Sequence, residues 1–425
     1  MFCRFCGKEI KDDSIFCPYC GKKLEYNDSE VIEEPKKEEK VVDEDLKKFK
    51  KDYSLGTLPA LIWFGVLNVI GSTFLVIGYV IVCLIYINDI DINSINFQNI
   101  GAIVDDLASR EYFVIVPIMY TIGYIIAGII AYIVGKRIIY KKEENKEVHK
   151  KNIRKLSAFE LILVILVAFG LWGAGVLIGN LPSFFFDEGS DTIKYIFGNY
   201  TYIYLLQAII GAPIIEELIF RKFLIDKISH RGEGLACLIS AMLFGLVHGN
   251  LGQFFLAFFL GMLFAIIYTK TRNILYTMLL HFMINTFASL TEIFGLFGLN
   301  IELVWNILAI SLMVIGIIMM IIFRKNELFK VSRFCEYDGY LIHRAVVFEI
   351  FFILTLVTLA SGTLSLSISK SLNTLERLLY IALELVPAGV FVAIMLLYNR
   401  QVHKVFIKNP NACSEVIDEE VIDNN

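Results

Sequence analysis

The segment "GAPIIEELIFRKFL" (Gly211–Leu224) carries two adjacent acids, Glu216 and Glu217, inside an otherwise apolar stretch. An apolar run of about one helix length precedes it, and basic residues follow the acids within a few positions. A charged side chain at the centre of a bilayer costs about 2.5–3.5 kcal/mol on insertion scales. Acids retained in such a segment are therefore candidates for function.

The composition of the whole chain indicates a polytopic membrane protein. Of its 425 residues 56% are hydrophobic, and the mean hydropathy is +0.64, whereas soluble proteins are roughly 45–50% apolar. The apolar residues gather in blocks of about 20, which is enough to cross a hydrocarbon core of ~30 Å. The sequence therefore predicts an all-α polytopic membrane protein with about ten transmembrane helices.

The charges between these blocks predict an orientation. Connecting segments alternate between basic, as in 136–155 and 221–231, and acidic, as in 88–106. Basic loops face the cytosol under the positive-inside rule, and the N-terminus lacks the pattern of a secretory signal peptide. We therefore expect a multi-pass protein of the cell membrane with both termini cytoplasmic. The predicted spans lie near 57–87, 112–135, 157–180, 200–220, 235–249, 251–269, 274–297, 303–323, 345–368 and 376–398.

Two matched knuckles at the N-terminus, FCRFCGKEI and FCPYCGKKL, each contain Cys-x-x-Cys-Gly. Four thiolates from such a pair can close a tetrahedral zinc site, so Cys3, Cys6, Cys17 and Cys20 are predicted to bind one structural Zn²⁺. The alternative, a redox dithiol pair, would not need two matched copies. The knuckles therefore predict a small N-terminal zinc-ribbon domain, which could recruit a protein partner. No basic tract suits nucleic acid, so no nucleic acid is expected.

Composition divides the chain into six predicted regions. The ribbon is followed by a linker of mixed charge, and the chain ends in an acidic tail. Between them lie accessory helices, a central core that contains the acids, and three further helices. The predicted boundaries are 1–26 for the ribbon, 27–56 for the linker, 57–156 for two accessory helices with a cytosolic loop, 157–300 for the core, 301–404 for three further helices and 405–425 for the tail.

Polar pairs recur at i, i+4 spacing, which places both members on one helix face. Glu217 and Arg221 are predicted to form an ion pair near the cytosolic boundary, whereas Glu216 points about 100° away and has no basic partner in its own helix. A buried carboxylate of this kind suits a general base. The same spacing relates Phe244 to His248 and His281 to Asn285, while the other histidines lie among basic residues and are interpreted as solvated: His149, His230, His343 and His403.

These residues resemble three ordered motifs of the CAAX-protease and bacteriocin-processing (CPBP, or Abi) intramembrane proteases. EELIFR (216–221) is similar to their E-E-x-x-x-R motif, FGLVH (244–248) to F-x-x-x-H and HFMIN (281–285) to H-x-x-x-N. The likeness covers roughly residues 157–297, and no motif position departs from the pattern. Each motif alone is weak, but the ordered set on predicted membrane helices is specific.

The resemblance implies an endopeptidase that acts on a membrane-associated peptide or protein. Glu216 would activate water with help from His248, and His281 and Asn285 would orient water or stabilise the oxyanion. Glu217, Arg221 and Phe244 would support the site. One glutamate and two histidines can bind zinc, but H-E-x-x-H is absent, so metal dependence stays open. Two alternatives are a non-catalytic binding or immunity protein and, less favoured, a transporter using buried acids and histidines.

The depths of the motif residues disagree when counted from flanking arginines. Glu216 lies five residues before Arg221, whereas His248 lies 17 residues past Arg231. At 1.5 Å per residue these distances are about 7–8 Å and 25 Å. The span 235–249 should therefore start deeper, tilt strongly or cross the membrane incompletely, if the motifs are to meet in a cavity open to the cytosol.

Overall fold

The computed structural model describes residues 20, 51, 55–60, 62–63, 65–86, 106–139, 154–181, 197, 199–229, 233–248 and 251–330. The chain forms two compact units, Met1–Lys48 and Phe49–Asn425. Outside the described residues lie three of the four predicted zinc ligands, the linker except residues 51, 55 and 56, the spans predicted at 345–368 and 376–398, and the acidic tail. His149, His230, His343 and His403 also lie outside them. Cys20 is described and exposed.

The described residues are helical apart from short connections, and they contain no strand. Helix α1 begins in helical residues from 55 onward, passes through a π-helical turn at Leu67–Gly71 and continues as Ser72–Ile85. The helices that follow are α2 (Ile115–Ile139), α3 (Ala158–Gly179), α4 (Thr201–Ile228), α5 (Glu233–Leu246), α6 (Leu251–Thr271), α7 (Ile274–Ala288), α8 (Leu290–Gly295) and α9 (Glu302–Phe323).

The chain is an all-α membrane protein, as predicted. Eight predicted spans correspond to apolar helices, but five helices of the described chain are long enough to cross a bilayer unaided: Glu111–Arg137, Ala158–Gly179, Thr201–Ile228, Gly252–Thr271 and Glu302–Phe323. The apolar helices Val69–Ile85, Ala236–Leu246 and Ile274–Ala288 are shorter. The predicted total of ten spans therefore stays a prediction.

Glycines allow α1 and α2 to pack as an antiparallel hairpin, called here the accessory hairpin. A Cβ atom on Gly123 would lie 2.8 Å from the Cα of Gly71, and one on Gly78 would lie 2.9 Å from the Cα of Val116. Such distances leave no room for a side chain on either glycine. Small residues that let two backbones approach are characteristic of helix packing in membranes.

The accessory hairpin also packs along α4. Added Cβ atoms on Gly128 and Gly135 would lie 2.6 Å and 2.4 Å from the side chains of Ile215 and Phe223. These contacts advance in the same direction along both helices, so α2 and α4 run parallel. Gly56 approaches Ile228 in the same way, with 2.8 Å from its added Cβ to that side chain.

On the other side of the core, α3 packs between α6 and α9. An added Cβ on Gly179 would lie 2.1 Å from the carbonyl oxygen of Gly252, and one on Gly170 would lie 2.6 Å from the carbonyl carbon of Gly316. Around these contacts lies an apolar cluster that includes Trp172, Phe264 and Phe287. The cluster joins α3, α6, α7 and α9, and so fixes the helix that carries His281.

The segment 221–231, predicted as a cytosolic loop, is instead largely helical. Helix α4 continues to Ile228, and the Arg221 side chain is 0% exposed. Near the end of α4, Asp226 is buried and accepts hydrogen bonds from Lys222 at 2.7 Å and Tyr268 at 2.8 Å. Arg221 therefore does not mark a solvent boundary, because its charge is satisfied inside the protein.

The length of helix α5, which ends just before His248, bears on the disagreement between the predicted depths of Glu216 and His248. It has 14 residues, a length of about 21 Å at 1.5 Å per residue, which is shorter than a hydrocarbon core of ~30 Å. Ser240 of α5 donates a hydrogen bond of 2.8 Å to the carbonyl of Phe220, so the middle of α5 lies level with the second half of α4. A short helix was one of the three options considered above, and the depth and tilt of α5 in a bilayer stay predictions.

Gly316→Ala should lower the thermal stability of the purified protein in detergent. The new Cβ would lie 2.1 Å from the carbonyl oxygen of Leu166, and overpacking of this kind costs about 1–3 kcal/mol. Gly295→Ala is the matched control, since its Cβ meets nothing within 4 Å and alanine favours a helix by about 1 kcal/mol. Equal melting temperatures for the two variants would contradict the α3–α9 contact.

Candidate active site

Two π-helical segments in α4 flank the paired glutamates. Ala212–Glu217 is α-helical and lies between π-helical Gln207–Gly211 and Leu218–Phe223. Pro213 lacks a backbone N–H and so cannot complete a regular α-helical bond to the preceding turn. A π-segment widens a helix and is frequent at functional sites. Here the widening lets side chains from other helices reach the backbone of α4.

Glu217 is neutralised by two partners. Its Oε1 lies 3.1 Å from Nη1 of Arg221 and 2.9 Å from Nδ1 of His281. Both Glu217 and Arg221 are 0% exposed. The structure thus contains the ion pair expected from the i, i+4 spacing, and it joins α4 to α7 through His281.

Besides its ion pair with Glu217, Arg221 contacts two aromatic rings and one backbone carbonyl. Its guanidinium carbon lies 4.3 Å from the ring centre of Phe244 and 5.5 Å from that of Phe264. Nη2 donates to the carbonyl of Gly261 at 3.3 Å, whereas Nε and Nη1 have no aligned hydrogen-bond acceptor within the described residues. Cation–π contact therefore replaces some of the hydrogen bonds that a buried guanidinium loses. Phe244 supports the site in this way.

Glu216 is buried but differently placed. It is 7% exposed, and its Oε2 lies 3.9 Å from Nε2 of His281. That separation is too long for a direct hydrogen bond, and it invites the question of whether a water lies between the two groups. The two neighbouring acids therefore differ: Glu217 has an arginine and a close imidazole, whereas Glu216 faces the far nitrogen of that imidazole and forms no ion pair with an arginine or lysine within the described chain.

His248 joins this cluster at the end of α5. Its Nδ1 lies 2.7 Å from the carbonyl oxygen of Phe244, and because a carbonyl only accepts, Nδ1 carries the proton. The Phe244 ring lies 5.3 Å from the His248 ring and 5.7 Å from the His281 ring. The two histidine motifs thus meet around Phe244.

Asn285 lies one turn beyond His281 on α7. Its Nδ2 donates a hydrogen bond of 2.8 Å to the carbonyl of Ala208 in the first π-segment. The carbonyl of Phe220 in the second π-segment accepts from Ser240, as described above. The Asn285 amide therefore links α7 to α4, and the Ser240 hydroxyl links α5 to α4. The helices that carry the second and third motifs are thus both bonded to the helix that carries the first.

The donor atoms do not fit a His₂Glu zinc centre. Such a centre needs three donors directed at one point about 2 Å away, but the described residues contain no group of three His, Cys, Asp or Glu side chains so arranged. The Nδ1 atoms of His248 and His281 are directed at a backbone carbonyl and at Glu217. The predicted zinc ligands of the ribbon lie outside this region.

Sequence reasoning missed several residues around the site. Gly261 lets Arg221 and Phe244 approach α6, since its added Cβ would lie 2.9 Å from the Phe244 ring. Tyr124 of α2 packs against α4 near Gly211, and Trp63 packs on Tyr124. A glycine inside an apolar run is a usable signal of close packing. No comparable sequence signal indicated that Tyr124 or Trp63 in the accessory spans would pack close to the site.

Comparisons with known proteins agree with the motifs. Residues 198–287 match the family described as "Type II CAAX prenyl endopeptidase Rce1-like", a range that contains all three motifs. Residues 2–24 match a zinc-ribbon domain. No solved structure matches the chain significantly.

A curated relative is similar to a stretch of this chain. The "Putative membrane peptidase YdiL" of Bacillus subtilis (strain 168) is 34% identical over 90 residues, which cover 21% of this chain and 36% of that protein. The chain thus spans about a third of the relative's length, and the accessory hairpin lies outside the family match. This membrane protein therefore contains a domain of the Rce1-like CAAX endopeptidase family and an N-terminal zinc-ribbon domain.

Proposed function

We propose that the chain is an intramembrane endopeptidase in which Glu216 activates a water molecule. Glu216 takes a proton from water as the water oxygen attacks the scissile carbonyl carbon. The tetrahedral intermediate then collapses, the C–N bond breaks and the proton passes to the leaving amine. General base catalysis of this type contributes about 10²–10⁴-fold.

This proposal rests on the different ion-pair partners of the two adjacent glutamates. Glu217 lies 3.1 Å from Arg221 and 2.9 Å from His281, so its charge is already engaged. Glu216 is also buried yet has no arginine or lysine partner within the described chain, and its carboxylate faces Nε2 of His281 at 3.9 Å. A carboxylate without a permanent cation can bind and release a proton during a reaction.

The remaining motif residues suit supporting roles. His281 is oriented by Glu217 at Nδ1, so its Nε2 is available to bind the same water as Glu216. Asn285 uses one N–H for Ala208 and retains a second, which could donate to an oxyanion. His248 would assist Glu216 through its Nε2, since Nδ1 is engaged with Phe244. None of these steps needs a metal at the membrane site.

Two other functions compete with this proposal. A non-catalytic binding or immunity protein could retain the same fold and residues, and a transporter could use the buried acids for proton relay. The family match over residues 198–287 favours peptidase chemistry over both. A transporter would need neither the three ordered motifs nor an asparagine that anchors a π-segment.

We further propose a setting for the reaction. The protein would lie in the cell membrane with both termini cytoplasmic, and its substrate would be a peptide or protein presented from the bilayer or the cytosol. The four ribbon cysteines would bind one Zn²⁺, and the folded ribbon would recruit a protein partner. The motifs would line a cavity that opens toward the cytosol.

Glu216→Gln should abolish cleavage while the protein still folds, because glutamine keeps the shape but cannot accept the water proton. New peptide termini would be quantified by mass spectrometry in cells that express the wild type, Glu216→Gln or the exposed-site control Glu302→Gln. We expect cleavage products to fall at least 100-fold in Glu216→Gln and to persist in the control. Identical termini in wild type and Glu216→Gln would refute the peptidase function.

Glu217→Gln and Arg221→Ala should lower folded yield and melting temperature more than Glu216→Gln does. Removing one partner leaves the other charge buried, which costs about 3–5 kcal/mol, and both side chains are 0% exposed. Melting in detergent, compared with Glu302→Gln, measures this effect. Wild-type stability in both variants would show that the pair is not structural.

Chelation should separate the ribbon from the membrane site. Metal analysis of the full-length protein should find one Zn²⁺ per chain, and replacing Cys3 and Cys6 with serine should remove it. A chelator should strip this zinc without stopping the cleavage identified above, since the membrane residues do not form a three-donor metal cluster. Loss of cleavage on chelation of the Cys3/Cys6 variant, with recovery on zinc addition, would instead require a metal at the membrane site.

A further inference from the structure

Two buried polar groups of the accessory hairpin have no hydrogen-bond partner in the part of the chain that the structure describes. They are the hydroxyl of Tyr124 on α2 and the indole Nε1–H of Trp63 on α1. The two residues are 5% and 4% exposed, and their rings meet edge to face at 6.0 Å. A buried donor without an acceptor is rare in folded proteins and calls for an explanation.

Both residues lie against α4 on either side of Glu216. The Tyr124 ring is 3.6 Å from the position of an added Cβ on Gly211, and the Trp63 ring is 6.2 Å from the ring of Phe220. Glu216 lies between these two contacts along the helix. The residue with the unsatisfied hydroxyl therefore packs on the part of α4 that carries the proposed reaction centre.

The site is otherwise poor in neutral hydrogen-bond donors. The protons on Nδ1 of His248 and His281 face Phe244 and Glu217, so in their neutral forms both rings carry a lone pair at Nε2. One N–H of the Asn285 amide already donates a hydrogen bond to the carbonyl of Ala208. An oxyanion, however, needs donors fixed in place before charge develops.

We propose that the accessory hairpin completes the active site, with the Tyr124 hydroxyl donating a hydrogen bond to the scissile carbonyl oxygen as it becomes an oxyanion. This inference rests on the proposed peptidase function. Water adds to the carbonyl carbon, Glu216 takes the water proton, and the carbonyl electron pair moves to the oxygen that Tyr124 contacts. When the C–N bond breaks, the pair returns to the carbonyl and Glu216 protonates the departing amine, so Tyr124 keeps its own proton throughout.

The packing of the hairpin holds this hydroxyl in a fixed position. Helix α2 contacts α4 through Gly128 and Gly135, and Thr121 donates a 3.2 Å hydrogen bond to Gln207. Trp63 supports the Tyr124 ring from α1. The family match begins at residue 198, so a residue well outside the matched domain would take part in catalysis.

Tyr124→Phe tests the role because it removes the hydroxyl and keeps the ring contacts. The assay uses full-length protein in liposomes and a fluorogenic peptide built on a cleavage site identified by the comparison of wild-type and Glu216→Gln cells. We expect kcat to fall about 10²–10³-fold, as for loss of one oxyanion donor, with KM and melting temperature nearly unchanged. Tyr132→Phe on the same helix is the matched control, since Tyr132 is 41% exposed, and it should retain full activity.

Fluorinated tyrosines at position 124 distinguish a catalytic donor from a packing residue. They keep the size of the ring but make the phenol more acidic, so kcat should change systematically with fluorination if the hydroxyl binds the oxyanion. Wild-type kcat in Tyr124→Phe, or a kcat independent of phenol acidity, would overturn the inference while Glu216→Gln still supports the peptidase. If Glu216→Gln and wild-type cells give the same termini, both proposals fail.

Discussion

Burial of the Arg221 charge is the constraint on which the centre of this protein depends. A guanidinium that is 0% exposed must find a counter-ion and other polar or aromatic contacts, because an unpaired buried charge is strongly destabilising. Glu217, the carbonyl of Gly261 and the rings of Phe244 and Phe264 meet this need. These groups come from α4, α5 and α6, so neutralising one side chain brings three helices together.

The same constraint separates the two acids. Once Glu217 is committed to Arg221, it can also hold Nδ1 of His281, and this contact directs Nε2 of the ring toward Glu216. The Glu217–Arg221 pair thus orients the His281 imidazole beside Glu216, which has no arginine or lysine partner among the described residues. Adjacent residues on a helix diverge by about 100°, so the chain can place an engaged acid and an available acid side by side.

The sequence was sufficient to predict the fold class and the pairing of Glu217 with Arg221, since apolar block length and i, i+4 spacing are local properties. It predicted a loop at 221–231 because charge was taken as a mark of solvent, whereas Asp226 and Arg221 are buried by partners from distant helices. The positions of Tyr124, Trp63 and Gly261 could not be predicted, because they depend on which helices pack together. The boundaries of the predicted regions and the last two spans stay predictions.

The short length of α5 has a consequence for any peptide that reaches this site. A helix that ends inside a bilayer exposes backbone carbonyls, which must be satisfied by protein or water, and His248 already serves one of them at Phe244. Water that binds the remaining carbonyls would reach the proposed reaction centre from the end of α5. A membrane segment still wound as a helix has its own carbonyls occupied, so under the peptidase function proposed above a substrate segment would have to unwind before its carbonyl is attacked.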